Sequence, residues 1–164
     1  MGPASPEPGR DFLVRICGIL SHGDAVLFEE NRKPGGEVAY NLPGGHLEFG
    51  ETLALCLSRE FYEETGLNVE ADKLMYVHEY VWDNRGVRTH ELGFYFLVDL
   101  SSGFPTPDAD GRIPHRESHV GMRLLRLTEL RRHRVVPSFL GDLLPEDART
   151  SFAHPPRHLV TREG

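Results

Sequence analysis

One helix constrains this chain more than any other feature. Leu53, Leu57 and Phe61 recur at helical spacing over about Thr52–Thr65, and Cys56 can join them on the apolar face. Thr52 is placed to cap an orphan backbone N–H, and Gly66 supplies the stop. The opposite face carries Glu60, Glu63 and Glu64, spaced i, i+3, i+4. Glu60 and Glu64 are like charges one turn apart, which costs roughly 0.2–0.5 kcal/mol in an isolated helix. They also lie near the helix C-terminus, where the macrodipole disfavours anions. Local physics therefore opposes the cluster unless a cation sits there. Mg²⁺ demands hard oxygen ligands and commonly shares them between carboxylates and substrate phosphates. An acidic pair alone is more often a solvated face. Here, however, Pro43-Gly44-Gly45 precedes the helix with a loop whose backbone can closely approach a metal or a phosphate.

The stretch GGHLEFGETLALCLSREFYEETGL resembles the box of the Nudix (MutT-like) hydrolase family. Gly45, Glu51, Arg59, Glu60, Phe61, Glu63, Glu64, Gly66 and Leu67 occupy its defining positions, and only Phe61 departs from the usual aliphatic residue. The resemblance implies an α/β fold, an α/β/α sandwich with a mixed β-sheet, over roughly Phe12 to Leu130. It implies that Glu60, Glu63 and Glu64 bind Mg²⁺ (Mn²⁺ can substitute) together with the carbonyl of Gly44. Arg59 would pair with Glu51 and hold the loop against the helix, while Gly45 and Gly66 would serve backbone geometry. The implied activity is hydrolysis of the diphosphate linkage in a nucleoside diphosphate derivative or nucleoside triphosphate. In relatives the proton acceptor is either a box glutamate, here Glu64, or a glutamate shortly before the last strand, here Glu117.

The rest of the chain reads as follows. Phe12–Leu20 is an apolar strand that forms a hairpin with Ala25–Glu30 across the turn Ser21-His22-Gly23-Asp24. Glu37–Leu42 is a short strand, and Leu74–Trp82 and Glu91–Leu100 are two more, joined through Asp83-Asn84-Arg85-Gly86. Ser101–Ser118 is a long Pro/Gly/polar loop. Gly121–Leu127 is a last strand, followed by short helices at Thr128–His133 and Ser138–Leu144. Residues 1–10 read as a disordered leader, 11–144 as one domain with a mixed sheet between helices, and 145–164 as an irregular tail.

Composition excludes several classes. The chain has 164 residues, 39% of them hydrophobic, which suits one domain with a real core. No apolar run approaches a membrane span, and residues 1–10 lack the layout of a signal peptide. Cys17 and Cys56 sit in apolar segments and read as reduced, buried thiols, which suggests the cytoplasm. The net charge of −7 opposes a broad nucleic-acid-binding face. The partner expected instead is a small nucleotide-like diphosphate, and a homodimer is compatible with the sequence. Candidate substrate contacts are Arg32, His46, Tyr80 and Arg88, with Trp82, Phe94 and Tyr95 beside the expected cleft. Glu91 is expected at the edge of the core, with the site as its alternative. Two rival functions stand beside hydrolysis. One is a silent nucleotide-sensing module, which would not need all three glutamates. The other is an isoprenoid diphosphate isomerase, for which neither cysteine is well placed.

Overall fold

The computed structural model describes residues 9–115 and 121–163, except the side chain of Asn84. The strands are β1 (Arg10–Ile19), β2 (Ser21–His22), β3 (Ala25–Arg32), β4 (Val38–Asn41), β5 (Gly44–His46), β6 (Val69–Asn84), β7 (Val87–Leu100), β8 (Arg112–Ile113), β9 (Gly121–Arg126), β10 (Val135–Val136) and β11 (Arg157–Arg162). Two α-helices, α1 (Leu53–Thr65) and α2 (Phe139–Ala148), flank them, and Leu127–Arg132 forms a 3-10 helix.

The strands make two mixed sheets. One has the order β11-β6-β7-β1-β5, with β11 parallel to β6 and β1 parallel to β7. The other has the order β10-β4-β3-β9-β8, with β2 also paired to β3. The expected mixed α/β architecture is present, but it is divided between two sheets. The predicted hairpin of the first two long strands does not form. β1 runs alongside β7, from Arg10 opposite Arg88 to Ile19 opposite Leu97. Only Ser21 and His22 turn back onto β3, opposite Val26 and Ala25. The chain crosses between sheets at Leu20, so the turn residues connect sheets and do not close one long ladder.

Side-chain alternation sorts the core into two clusters. Cys17, Val26 and Phe28 face one cluster, which contains Tyr76, Tyr95 and the α2 residues Leu140 and Leu144. Ile16 and Leu27 face the other, which contains Cys56, Leu57 and Phe61 of α1. Packing α1 this tightly requires a glycine in β1. A Cβ on Gly18 would sit 2.4 Å from Cε2 of the fully buried Phe61.

The stretch beyond residue 144 is a second correction. It was expected to be irregular, yet α2 continues to Ala148 through Pro145, and β11 adds a parallel strand to β6. Its polar, Pro-containing sequence gives little apolar periodicity. Instead it is held by the buried carboxylate of Asp147, which accepts from the hydroxyl of Tyr76 and the guanidinium of Arg157 and lies 2.9 Å from Nε2 of His154. No helix among the described residues is long and apolar enough to cross a membrane.

Candidate active site

The box folds as its sequence dictates. Thr52 Oγ1 accepts from the Leu55 backbone N–H, and Gly66 closes α1 at φ 76° by donating its N–H to the Tyr62 carbonyl. Gly44 and Gly45, expected in a loop, instead join His46 in the edge strand β5, with Gly44 opposite Cys17 and Gly45 opposite Ile16. Gly44 is required by the backbone packed against it, whereas Gly45 leaves the space that a carboxylate occupies. A Cβ on Gly44 would lie 2.0 Å from the Ile16 carbonyl oxygen, and one on Gly45 would lie 2.2 Å from Cδ of Glu60. The Glu60 carboxylate therefore rests directly against the backbone of β5.

Arg59 joins loop to helix. Its Nε donates to Glu51 Oε1 at 2.6 Å and its Nη2 to Glu51 Oε2 at 3.0 Å, a bidentate pair. The same guanidinium donates to Glu60 Oε1 at 2.8 Å and Glu63 Oε2 at 3.4 Å. Hydrogen bonds from Arg59, aided by the Glu48 backbone N–H, hold the Glu51 carboxyl down at about 2. Glu60 is half-buried, Glu63 exposed and Glu64 half-buried. Among the described residues, no three His, Cys, Asp or Glu side chains converge closely enough to grip a metal ion. The donor set nevertheless fits a hard divalent cation: carboxylate oxygens on one helix face, beside a loop stripped of side chains. Glu117 lies outside the described residues.

A cleft of about 390 Å³ opens beside the box, a volume in the range of small-molecule sites. Arg15, Cys17, Glu29, Asn31, Asn41, Tyr80, Trp82, Glu91 and Tyr95 contribute to its walls, drawing on both sheets. The Tyr80 and Trp82 rings stack 4.5 Å apart at 23°. His46 of β5 touches two of these wall residues, with its Nε2 3.4 Å from Arg15 Nη2 and 3.5 Å from Glu91 Oε2. Arg15 Nε donates to the same Glu91 oxygen at 3.3 Å. Glu29, Glu64 and Glu91 all lie near enough to Cys17 to act on its thiol. Burial first, reinforced by these carboxylates, pushes that thiol up to about 12, so it is no nucleophile near neutral pH. Burial likewise raises Cys56 to about 11.

The structure thus gathers His46, Tyr80 and the box beside one cleft and separates the other two candidates from it. Arg32 binds Glu30 at 3.2 Å and is 65% exposed. Arg88 is exposed and, by alternation along β7, points away from the face that carries Glu91 and Tyr95. Glu91, expected at the core edge, lines the cleft with only 12% of its side chain exposed. Arg15, Glu29, Asn31 and Asn41 escaped the sequence reading. Arg15 carried a usable signal, since a lone cation inside FLVRICGIL is rarely buried without a partner.

A NUDIX domain model matches residues 12–146, most of the chain. The chain belongs to the NUDIX domain family. Among curated proteins, this NUDIX chain is 31% identical over 97 residues to Phosphatase NudJ of Escherichia coli (strain K12), covering 59% of this chain and 60% of NudJ. It therefore spans about 60% of the length of the curated relatives it matches. Among solved structures it resembles a NUDIX hydrolase from Nitrosomonas europaea, with TM-score 0.61 and 19% identity over 93% of this chain and 80% of that one. A MutT protein from Bacillus halodurans gives TM-score 0.61 and 16% identity, over 92% of this chain and 89% of that one. At such identities the two structures speak to the fold alone.

Proposed function

We propose that this protein is a Mg²⁺-dependent pyrophosphohydrolase that opens the diphosphate linkage of a nucleoside diphosphate derivative or nucleoside triphosphate by water attack. The observation that carries this reading is the contact between Glu60 and Gly45: a carboxylate packed where any Cβ would intrude. Glu60, Glu63 and Glu64, with the Gly44 carbonyl, would hold the cation. When bound, Mg²⁺ supplies charge neutralisation on the diphosphate and a lowered pKa for attacking water. Arg59 keeps the loop on the helix through Glu51. Arg15 of the cleft wall, with His46 beside it, can steady phosphate oxygens, and the Tyr80–Trp82 pair offers an aromatic wall to a base. Glu64 accepts the proton of the attacking water; Glu117 is the competing acceptor.

The test is a screen of nucleotides and nucleotide sugars with Mg²⁺ or Mn²⁺, with products identified by mass. Glu64→Gln is expected to reduce kcat by about 10²–10⁴-fold without loss of fold. If Glu64→Gln turns over at the parent rate while Glu117→Gln does not, the proton goes to Glu117. Full activity in Glu60→Gln, Glu63→Gln and Glu64→Gln together would sink the hydrolase reading. Tight binding without turnover across the panel would favour a nucleotide-sensing module.

A further inference from the structure

Side chains from three adjacent strands meet in the cleft wall. Arg15 of β1 lies directly opposite His46 of β5 and Gly93 of β7. Glu91 stands two residues before Gly93, so it shares that face and reaches Arg15 on the diagonal. One carboxylate oxygen, Glu91 Oε2, lies 3.3 Å from Arg15 Nε and 3.5 Å from His46 Nε2. Tyr95 closes the other side. A Cβ on Gly93 would lie 2.9 Å from Cε2 of Tyr95 and 3.3 Å from its hydroxyl, so the buried phenol lies back over Gly93, the residue opposite Arg15. Glu91 thus takes the Nε edge of the guanidinium. Nη1 has no partner among the described residues, and 33% of the Arg15 side chain is exposed where it lines the cleft. Among the described residues of that wall, Arg15 is the only arginine or lysine. Any fixed positive charge that the wall offers to an anion is therefore on this side chain.

We infer that Glu91 is a positioning residue for the diphosphate: it holds the Nε edge of Arg15 so that the Nη edge is presented to phosphate oxygens in the cleft. The inference rests on the diphosphate reading given above. Glu91 acts through Arg15 and does not itself touch the phosphate. A guanidinium is a planar fork of five N–H donors, so fixing one edge fixes the direction of the other. An arginine already held in place also loses less side-chain freedom when an anion arrives. Two effects of Glu91 oppose each other. As an anchor it strengthens phosphate binding, and as a negative charge beside an anion it weakens it. Substitutions separate the two, because removing the anchor and removing only the charge shift affinity in opposite directions.

Trp82 is the sole tryptophan of the chain and lines the same cleft, so its fluorescence reports occupancy. The experiment titrates the full chain, with Mg²⁺, with the α,β-methylene analogues of ADP, GDP, CDP and UDP, whose P–C–P bridge water cannot open. At least one of the four is expected to quench the parent protein. Arg15→Ala is expected to weaken that analogue about ten- to hundredfold, the scale of a lost hydrogen-bonded charge contact. Glu91→Ala should weaken it about three- to tenfold. Glu91→Gln keeps an acceptor at the same reach and removes the charge, so it should bind as tightly as the parent or tighter. The double variant Arg15→Ala/Glu91→Ala should be no weaker than Arg15→Ala alone. A general loss of structure would not separate Ala from Gln in this way. Unchanged or tighter binding by Glu91→Ala, equal weakening by Glu91→Gln, or full additivity in the double variant would overturn the inference, as would no quenching of the parent by any analogue. Circular dichroism checks the fold. If Glu91→Ala does not fold, Arg15→Lys replaces it: the charge stays but the fork is lost, and binding should again fall about three- to tenfold. Parent-like binding by Arg15→Lys would then overturn the inference. Because the analogues are not turned over, a failed hydrolase assay with these results leaves the inference standing. An active hydrolase whose Glu91→Ala variant binds like the parent removes the inference alone.

Discussion

The loop and helix from Gly44 to Leu67 and the cleft beside them are built in opposite ways. The first is assembled by neighbours in sequence: cap, glycines, glutamates and the Arg59–Glu51 bridge all lie within 24 consecutive residues. The second draws on β1, β3, β4, β6, β7 and β10, whose contributions span Arg15 to Val136. On the function proposed above, reaction chemistry is local and recognition is tertiary. That contrast suits a fold in which one motif serves many substrates, since wall residues can change without disturbing the helix.

Three substitutions probe the contrast, from the strongest expected effect to the weakest. Gly45→Ala attacks the local region. Its methyl would overlap the Glu60 carboxylate at 2.2–2.4 Å, and Glu60 must move. Displacement of a catalytic group by about 1 Å costs on the order of 10²-fold in rate. The expected result is a kcat loss of that size with nearly unchanged nucleotide quenching of Trp82; equal losses in both would mean that the two regions are not separable. Gly18→Ala attacks what joins them. Its methyl would lie 2.4 Å from the Phe61 ring, which is fully buried and cannot swing clear. Overpacking of this kind costs about 1–3 kcal/mol, read as a lower urea midpoint with unchanged m-value. A neutral result would show that α1 has slack on the sheet. Arg88→Ala is the control. It is exposed on the face away from the cleft, so KM should change less than twofold across the nucleotide panel. A tenfold rise would place a substrate phosphate outside the cleft.

Legibility in the sequence follows the same division. Thr52, Gly66 and the helical face are consequences of short-range rules, and each is found where those rules place it, while the Arg59–Glu51 pairing, implied by the family resemblance, is present as well. The role of Arg15 is decided by Glu91, 76 residues away, through the parallel pairing of β1 with β7. No local pattern states that pairing, and the expected β1–β3 hairpin was the natural wrong choice. Arg32 and Arg88 erred in the other direction. Arginine chemistry suits phosphate, but alternation on the strand and a competing carboxylate determine where the side chain goes. The segment after residue 144 lacked apolar periodicity because its attachment is polar: one buried aspartate and a parallel ladder, neither visible as hydrophobic patterning.

That ladder has a consequence for how the protein is made. β6 is 16 residues long, and everything on its β7 side is complete once Leu100 has been synthesised. Its other edge must wait for Arg157–Arg162, more than 50 residues later. During that interval a nascent chain presents a long, twisted sheet edge rich in aromatic residues to whatever strand comes near. Chains that stall or are cut before β11 should therefore be caught by chaperones or pair with one another, even though α1 is already complete.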